Sequence, residues 1–352
     1  MGSPAHIAWF EALGLGDRDQ AGGKGASLGE LTRAGLAVPP GFVLTTAAFE
    51  HCLAALECEA PVRAAVAALD PGALGEISAR AAALRARFEG ATLPQVLRDS
   101  LTAAYTQLTH AHPHATVAVR SSATCEDAAD ASFAGLQDTY LWVPDLAQTL
   151  QRVRSCWGSL YSVESLSYRR QHAFAEERVA MAVVVQLMVD ARTAGVMFTR
   201  SPTTGDRSVV TIEAAWGLGS AVVGGEVTPD RWVLSKITGE ISVREISDKA
   251  IRHAPAAGGG IVVVPVAEGE RRVPCLSDAE LQALGALARR VERHYGRAQD
   301  IEWAIDRARG TILLLQSRPE TVWSARESAP IARAEQDPLR HVLSVFGNRQ
   351  CP

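Results

Sequence analysis

Two cations stand where short segments would expose them. Lys24 lies in Gly22-Gly23-Lys24-Gly25, ahead of a helical spacing at Leu28, Leu31 and Leu36, and Arg120 follows the apolar run at residues 117–119 and precedes Ser121 and Ser122. Glycines let backbone amides approach an oxyanion, a helix start adds positive potential, and a guanidinium takes a phosphate bidentately. These residue types suit phosphate binding. The GGKG lacks the G-x-x-x-x-G-K-[ST] spacing of a P-loop, and by itself it also fits a flexible turn.

A second polar group lies near the other end of the chain. Asp300 and Glu302 are two residues apart in one strand-like run, Gln316 and Arg318 in the next, and residues 307–310 make a short hairpin loop between them. Period two puts each pair on one strand face. If the register joins those faces, a carboxylate and an amide oxygen can share Mg²⁺, a hard cation that leaves its other positions to water and substrate phosphates. Polar residues on a solvated edge hairpin would explain the charges equally well.

The elements that must position these groups are legible from pattern. The helical pattern after Gly25 is stopped by Val38-Pro39-Pro40-Gly41, residues 43–46 read as a strand, and 49–110 as alanine- and leucine-rich helices. Residues 145–177 are helical, and 179–189 form an apolar strand interrupted only by Gln186, whose default role is to satisfy a neighbouring backbone group. Residues 211–230 are glycine-punctuated turns between strands, within which Glu213 is a weak candidate for nucleotide or metal contact, and Lys236 and Lys249 are weaker. Residues 277–295 read as a helix with Ser277 at the N-cap and Asp278 and Glu280 in its first turn. His110, His112 and His114 beside Pro113 fit a solvated loop better than a ligand set.

Composition excludes some partners. With 352 residues, 47% hydrophobic, 21% charged and a net charge of −4, the chain has no basic excess for a nucleic acid. Its longest apolar run falls far short of the roughly 20 residues of a membrane helix. The N-terminus lacks the pattern of a secretion signal, and cysteines at 52, 58, 125, 156, 275 and 351 have neither metal nor disulfide spacing, so the expected setting is cytoplasmic with free thiols.

The motifs GGKGASLGEL at 22–31, VPPGFVLT at 38–45, VRSSAT from 119, SFAG at 132–135 and QDTYL at 137–141, with the later hairpin, resemble the ATP-binding domain of the phosphoenolpyruvate synthase, pyruvate phosphate dikinase and rifampicin phosphotransferase family over residues 7–323. The resemblance implies an α+β ATP-grasp fold of two lobes, expected at 1–185 and 186–323 with a polar tail at 324–352. It assigns Lys24, Arg120 and Arg318 to the ATP phosphates and catalysis, and Gly135 and Thr139 to a loop over those phosphates. Gln186 and the backbone of Leu187, Met188 and Val189 fall to adenine. Glu302 and Gln316 fall to Mg²⁺, with Asp300 as a further candidate. One departure is Leu136, where relatives usually carry glutamine.

Family members also carry a swivelling domain with a phosphorylatable histidine, and none of the nine histidines here sits in that context. The expectation is therefore an ATP-binding subunit of a split dikinase, resembling the phenylphosphate synthase-like branch of the family, with the histidine on a partner subunit and a phenol-like acceptor. The alternatives are a self-contained ATP-dependent kinase of a small molecule and a non-catalytic nucleotide-sensing module.

Overall fold

The computed structural model of the chain describes residues 5–112, 115–124, 138–172 and 174–324. Strands β1 (Ile7–Trp9), β2 (Gly41–Leu44), β3 (Val117–Ala123), β4 (Thr139–Val143) and β5 (Met181–Leu187) form a 5-stranded sheet in the order β1-β2-β5-β3-β4, antiparallel throughout. β5 is buried along its whole length, which is why its sequence is apolar on both faces. Val183, Val185 and Leu187 face a core built with helices α2 (Thr46–Glu59), α3 (Val62–Ala67), α4 (Leu74–Gly90), α5 (Gln95–His110), α6 (Leu146–Ser159) and α7 (Val163–Gln171). Ala182 and Val184 face Ala21 and Leu28 of α1 (Arg18–Arg33).

The chain leaves this sheet after Leu187 and enters a 6-stranded one at Ala191, so residues 186 and 187 still belong to the first sheet. The second sheet takes β6 (Ala191–Phe198), β7 (Val209–Trp216), β8 (Asp230–Ser235), β9 (Ile241–Glu245), β12 (Gln299–Asp306) and β13 (Ile312–Pro319) in the order β13-β12-β6-β7-β8-β9. A separate ribbon pairs β10 (Ile251–Pro255) with β11 (Ile261–Pro265), and short helices α8 (Ser220–Val223) and α9 (Glu268–Arg271) lie in connections. Helix α10 (Asp278–Tyr295) covers one face through Leu281, Leu284, Ala288 and Val291, packed on Trp232, Ile301 and Trp303 with Leu31 of α1. Its start has the expected cap: Ser277 Oγ accepts from Glu280 N, and Glu280 Oε2 accepts from Ser277 N.

Helix α1 therefore lies between the two sheets. Ser27 Oγ donates to Ser317 O at 2.6 Å, and Leu31 enters the core of the second sheet. Among the described residues no helix is long and apolar enough to cross a membrane. The described cysteines Cys52, Cys58, Cys156 and Cys275 are free.

Candidate functional site

The glycines before Lys24 do not simply precede a helix; they lie inside α1, which is broken at Gly22 (φ 66, ψ 177). In an unbroken helix the N–H of Gly25 would donate to Ala21 O. Here Ser122 of β3 comes between them: its Oγ donates to Ala21 O at 2.8 Å and accepts from Gly25 N at 3.1 Å. A side chain inserted into the helical ladder is a sufficient cause of a break. Gly22 is required twice over, by its left-handed φ and because a Cβ there would lie 2.1 Å from Ser122 O. The break starts a new helical segment at Gly23 and places Lys24 in its first turn.

Arg120 does not mark the end of its apolar run. It lies within β3, which continues to Ala123 because β5 pairs with it along the full run. Ser121 and Ser122 are tolerated inside this buried strand because their hydroxyls donate to Asp138 O and Ala21 O. The Arg120 side chain crosses to the other lobe, where Nη1 donates to Leu315 O at 2.8 Å and Nη2 reaches Gln316 Oε1 at 2.8 Å and Glu302 Oε2 at 3.4 Å. Its buried Nε has no hydrogen-bond partner among the described residues.

The hairpin register joins the polar faces, pairing Glu302 with Gln316 and Asp300 with Arg318. A bulge after Glu302 shifts the pairing so that Trp303 meets Leu314. A bulge turns two neighbouring residues toward one face: Leu315 joins the apolar cleft wall while Gln316, next to it, meets Arg120. Strict period two over the last strand does not anticipate this. Trp303 stays on the opposite face, in the core under α10.

Between the sheets lies a cleft of about 500 Å³. Lys24, Arg120, Thr139, Glu302, Gln316 and Arg318 line its polar part, and Gln186, Leu187, Met188 and Val189 line it where the chain crosses between lobes. Leu218, Ala194, Ala304 and Leu315 add an apolar wall that sequence reasoning did not single out. Gln186 is buried and its amide donates to Pro39 O, the backbone role expected by default. Asp300 is not in the lining; its Oδ2 is 3.4 Å from Arg318 Nε. Glu213 lies outside the lining, and burial raises its pKa. Lys236 pairs with Glu292, and Lys249 is buried against Asp230, so neither serves the cleft. Gly135 and Leu136 lie outside the described residues.

Burial in this row pushes the Asp300 carboxyl up to about 6, against the opposing pull of Arg318. A carboxyl whose folded pKa exceeds its unfolded value destabilises the fold once it ionises, so this contribution falls as pH rises from about 4 to about 6. Asp300→Asn is accordingly expected to flatten that part of the stability–pH curve. Urea denaturation in EDTA from pH 4 to 8 checks it, and a slope unchanged from the parent chain would refute it.

A family model described as the pyruvate phosphate dikinase AMP/ATP-binding domain matches residues 18–338. The chain belongs to this family. It is 38% identical to a probable phosphoenolpyruvate synthase of Methanocaldococcus jannaschii over 97% of this chain and 29% of that protein. It is 35% identical to phosphoenolpyruvate synthase of Pyrococcus furiosus over 94% of this chain and 45% of that one. A rifampicin phosphotransferase of a Streptomyces species is 40% identical over 97% of this chain and 38% of that protein. The chain spans less than half the length of these relatives. As a pyruvate phosphate dikinase-type ATP-binding domain it has the ATP-grasp arrangement, two α+β lobes with the nucleotide cleft between them.

The donor chemistry of this ATP-binding domain also fits a divalent cation carried in by the nucleotide. Glu302 and Gln316 offer two hard oxygens at one register position, and no cluster of three or more His, Cys, Asp or Glu among the described residues could hold a metal ion. Such a pair suits Mg²⁺, whose remaining positions go to phosphates and water.

Proposed function

We propose that the chain is the ATP-activating subunit of a split dikinase. The ATP-activating part of this reading is carried by Arg120, which spans the lobes to meet Glu302 and Gln316 at the polar part of an otherwise apolar cleft. In this reading Lys24, Arg120 and Arg318 hold the phosphates and balance the charge that develops between them, while the backbone of residues 187–189 faces adenine. Mg²⁺ bound with the nucleotide would supply further neutralisation at Glu302 and Gln316. Little covalent work falls to the protein in phosphoryl transfer; positioning and charge do most of it.

The nucleophile is a histidine nitrogen outside these 352 residues, on a partner subunit. The nitrogen attacks the β-phosphorus, the bond to the α-phosphate oxygen breaks, and AMP leaves. The pyrophosphoryl-histidine then loses its terminal phosphate to water, and the remaining phosphoryl group passes to a phenol-like hydroxyl, as in phenylphosphate synthase.

The test is ³¹P NMR of Mg·ATP with the chain alone, then with a histidine-bearing partner and phenol. AMP and inorganic phosphate only in the mixture, with a new phosphate-ester signal, is the expected outcome. ADP from the chain alone would overturn the reading in favour of a self-contained kinase, and tight ATP binding without turnover in any mixture would point to a nucleotide sensor.

A further inference from the structure

The segment after β7 carries a second polar constellation on the cleft wall. Ser220 lines the cleft, and its Oγ is 2.7 Å from Nδ1 of His253, whose Nε2 is 3.2 Å from Glu226 Oε2. His253 is 3% exposed on β10. Gly217 makes this approach feasible: its φ is 78, and a Cβ there would lie 2.5 Å from His253 O. Leu218 N donates to the same carbonyl, so β10 is fastened beneath the turn that presents Ser220.

The hydrogen-bond polarity follows from the carboxylate. Ionised Glu226 can only accept, so Nε2 of His253 carries the proton and Nδ1 is the acceptor in the neutral ring. Ser220 must then donate its proton to Nδ1, which leaves its oxygen lone pairs for a donor in the cleft. Successive hydrogen bonds polarise one another in the same sense, making that oxygen a better acceptor.

The level of Ser220 along the cleft identifies the donor. The preceding Gly219 packs on β6, where a Cβ would lie 3.6 Å from Ala194 Cβ. Ala194 pairs with Ala304, while Glu302 pairs with Val196. Two strand residues, roughly 7 Å, separate the Ser220 level from the metal and phosphate row. The displacement is toward Ala191 and the 187–189 crossing, where β6 begins. Between the phosphates and the base of a nucleotide lies the sugar.

We propose that Ser220, held as an acceptor by His253 and Glu226, reads a ribose hydroxyl of the bound nucleotide. The proposal rests on the ATP-binding character of the domain and not on the histidine partner or the phenol-like acceptor. Ser220 is the contact residue, and His253 and Glu226 are positioning residues. A site built to accept from a sugar hydroxyl binds the analogue lacking it less well.

The test is calorimetric titration of the full chain with Mg·ATP, 2′-deoxyATP and 3′-deoxyATP. The unaltered chain is expected to bind ATP about tenfold more tightly than one of the two deoxy analogues. Ser220→Ala should weaken ATP binding by that factor, leave that analogue unchanged and so abolish the discrimination. His253→Ala should do the same, whereas His253→Asn, which restores an oxygen acceptor near the Nδ1 position, should recover part of it. Equal losses for all three nucleotides in Ser220→Ala, or discrimination that survives the substitution, would overturn the proposal. ATP that binds and discriminates normally while no AMP forms with any partner would leave the ribose contact standing and remove the dikinase reading instead.

Discussion

Arg120→Ala is expected to lower AMP formation by roughly a thousandfold, the scale of losing an arginine that stabilises charge in phosphoryl transfer. The guanidinium makes bonds that no shorter cation reproduces, to Leu315 O, Gln316 Oε1 and Glu302 Oε2. Arg120→Lys should therefore recover little, because an ammonium lacks the planar fork. Removing the side chain also leaves the Leu315 carbonyl and the Gln316 amide oxygen short of a donor, at a cost of about 1–3 kcal/mol if water does not replace it. Single-turnover AMP formation and a urea melt of the same variant separate the two effects. An unimpaired rate would take Arg120 out of the mechanism.

Asp230→Ala is expected to cost about 3–5 kcal/mol of stability, as breaking a buried ion pair does. Asp230 and Lys249 are both fully buried, with Nζ 2.5 Å from Oδ1. Asp230 also accepts from Ser247 N and Cys275 N, and Lys249 donates to Ser247 O, so the pair ties the connections on either side of the β10–β11 ribbon to β8. Alanine would strand a buried ammonium and two backbone donors. Replacing both residues with apolar ones, Asp230→Leu with Lys249→Met, should cost less than Asp230→Ala because no charge is stranded. Urea midpoints measure both, and a loss below about 1 kcal/mol for Asp230→Ala would show that the pair is hydrated.

The sequence is most informative where a local rule is sufficient. The α10 capping box and the buried β5 strand can be read directly, since Ser277 and Glu280 are three residues apart and β5 is one continuous apolar run. The hairpin itself can be read from the sequence, but a regular register counted from its 307–310 loop would pair Glu302 with Leu315, and only the bulge brings Gln316 opposite Glu302. The family motifs add Lys24, Arg120 and Arg318, all of which line one cleft.

Local rules fail where the deciding partner is distant. Ser122 meets Ala21 and Gly25 about a hundred residues away in sequence, so the break in α1 cannot be inferred from GGKG alone. Lys249 looks like any lysine until Asp230 is found beside it, and Ser220 acquires an oriented hydroxyl only when β10 brings His253 under it. The Glu302 bulge is invisible to a period-two reading because the pattern on either side of it is intact.

The Ser122 insertion has a mechanical meaning. Ser122 and Arg120 are two residues apart on β3, and Ser122 also fixes the start of the segment that carries Lys24. One stretch of backbone therefore sets the gauge between the two cations of the first lobe. Arg318 is mounted on the other sheet, next to Ser317, which Ser27 of α1 holds, so its spacing from that pair is set by a separate contact between the lobes. The first lobe thus fixes the spacing of two cations, and the contact of α1 with β13 sets the third against them.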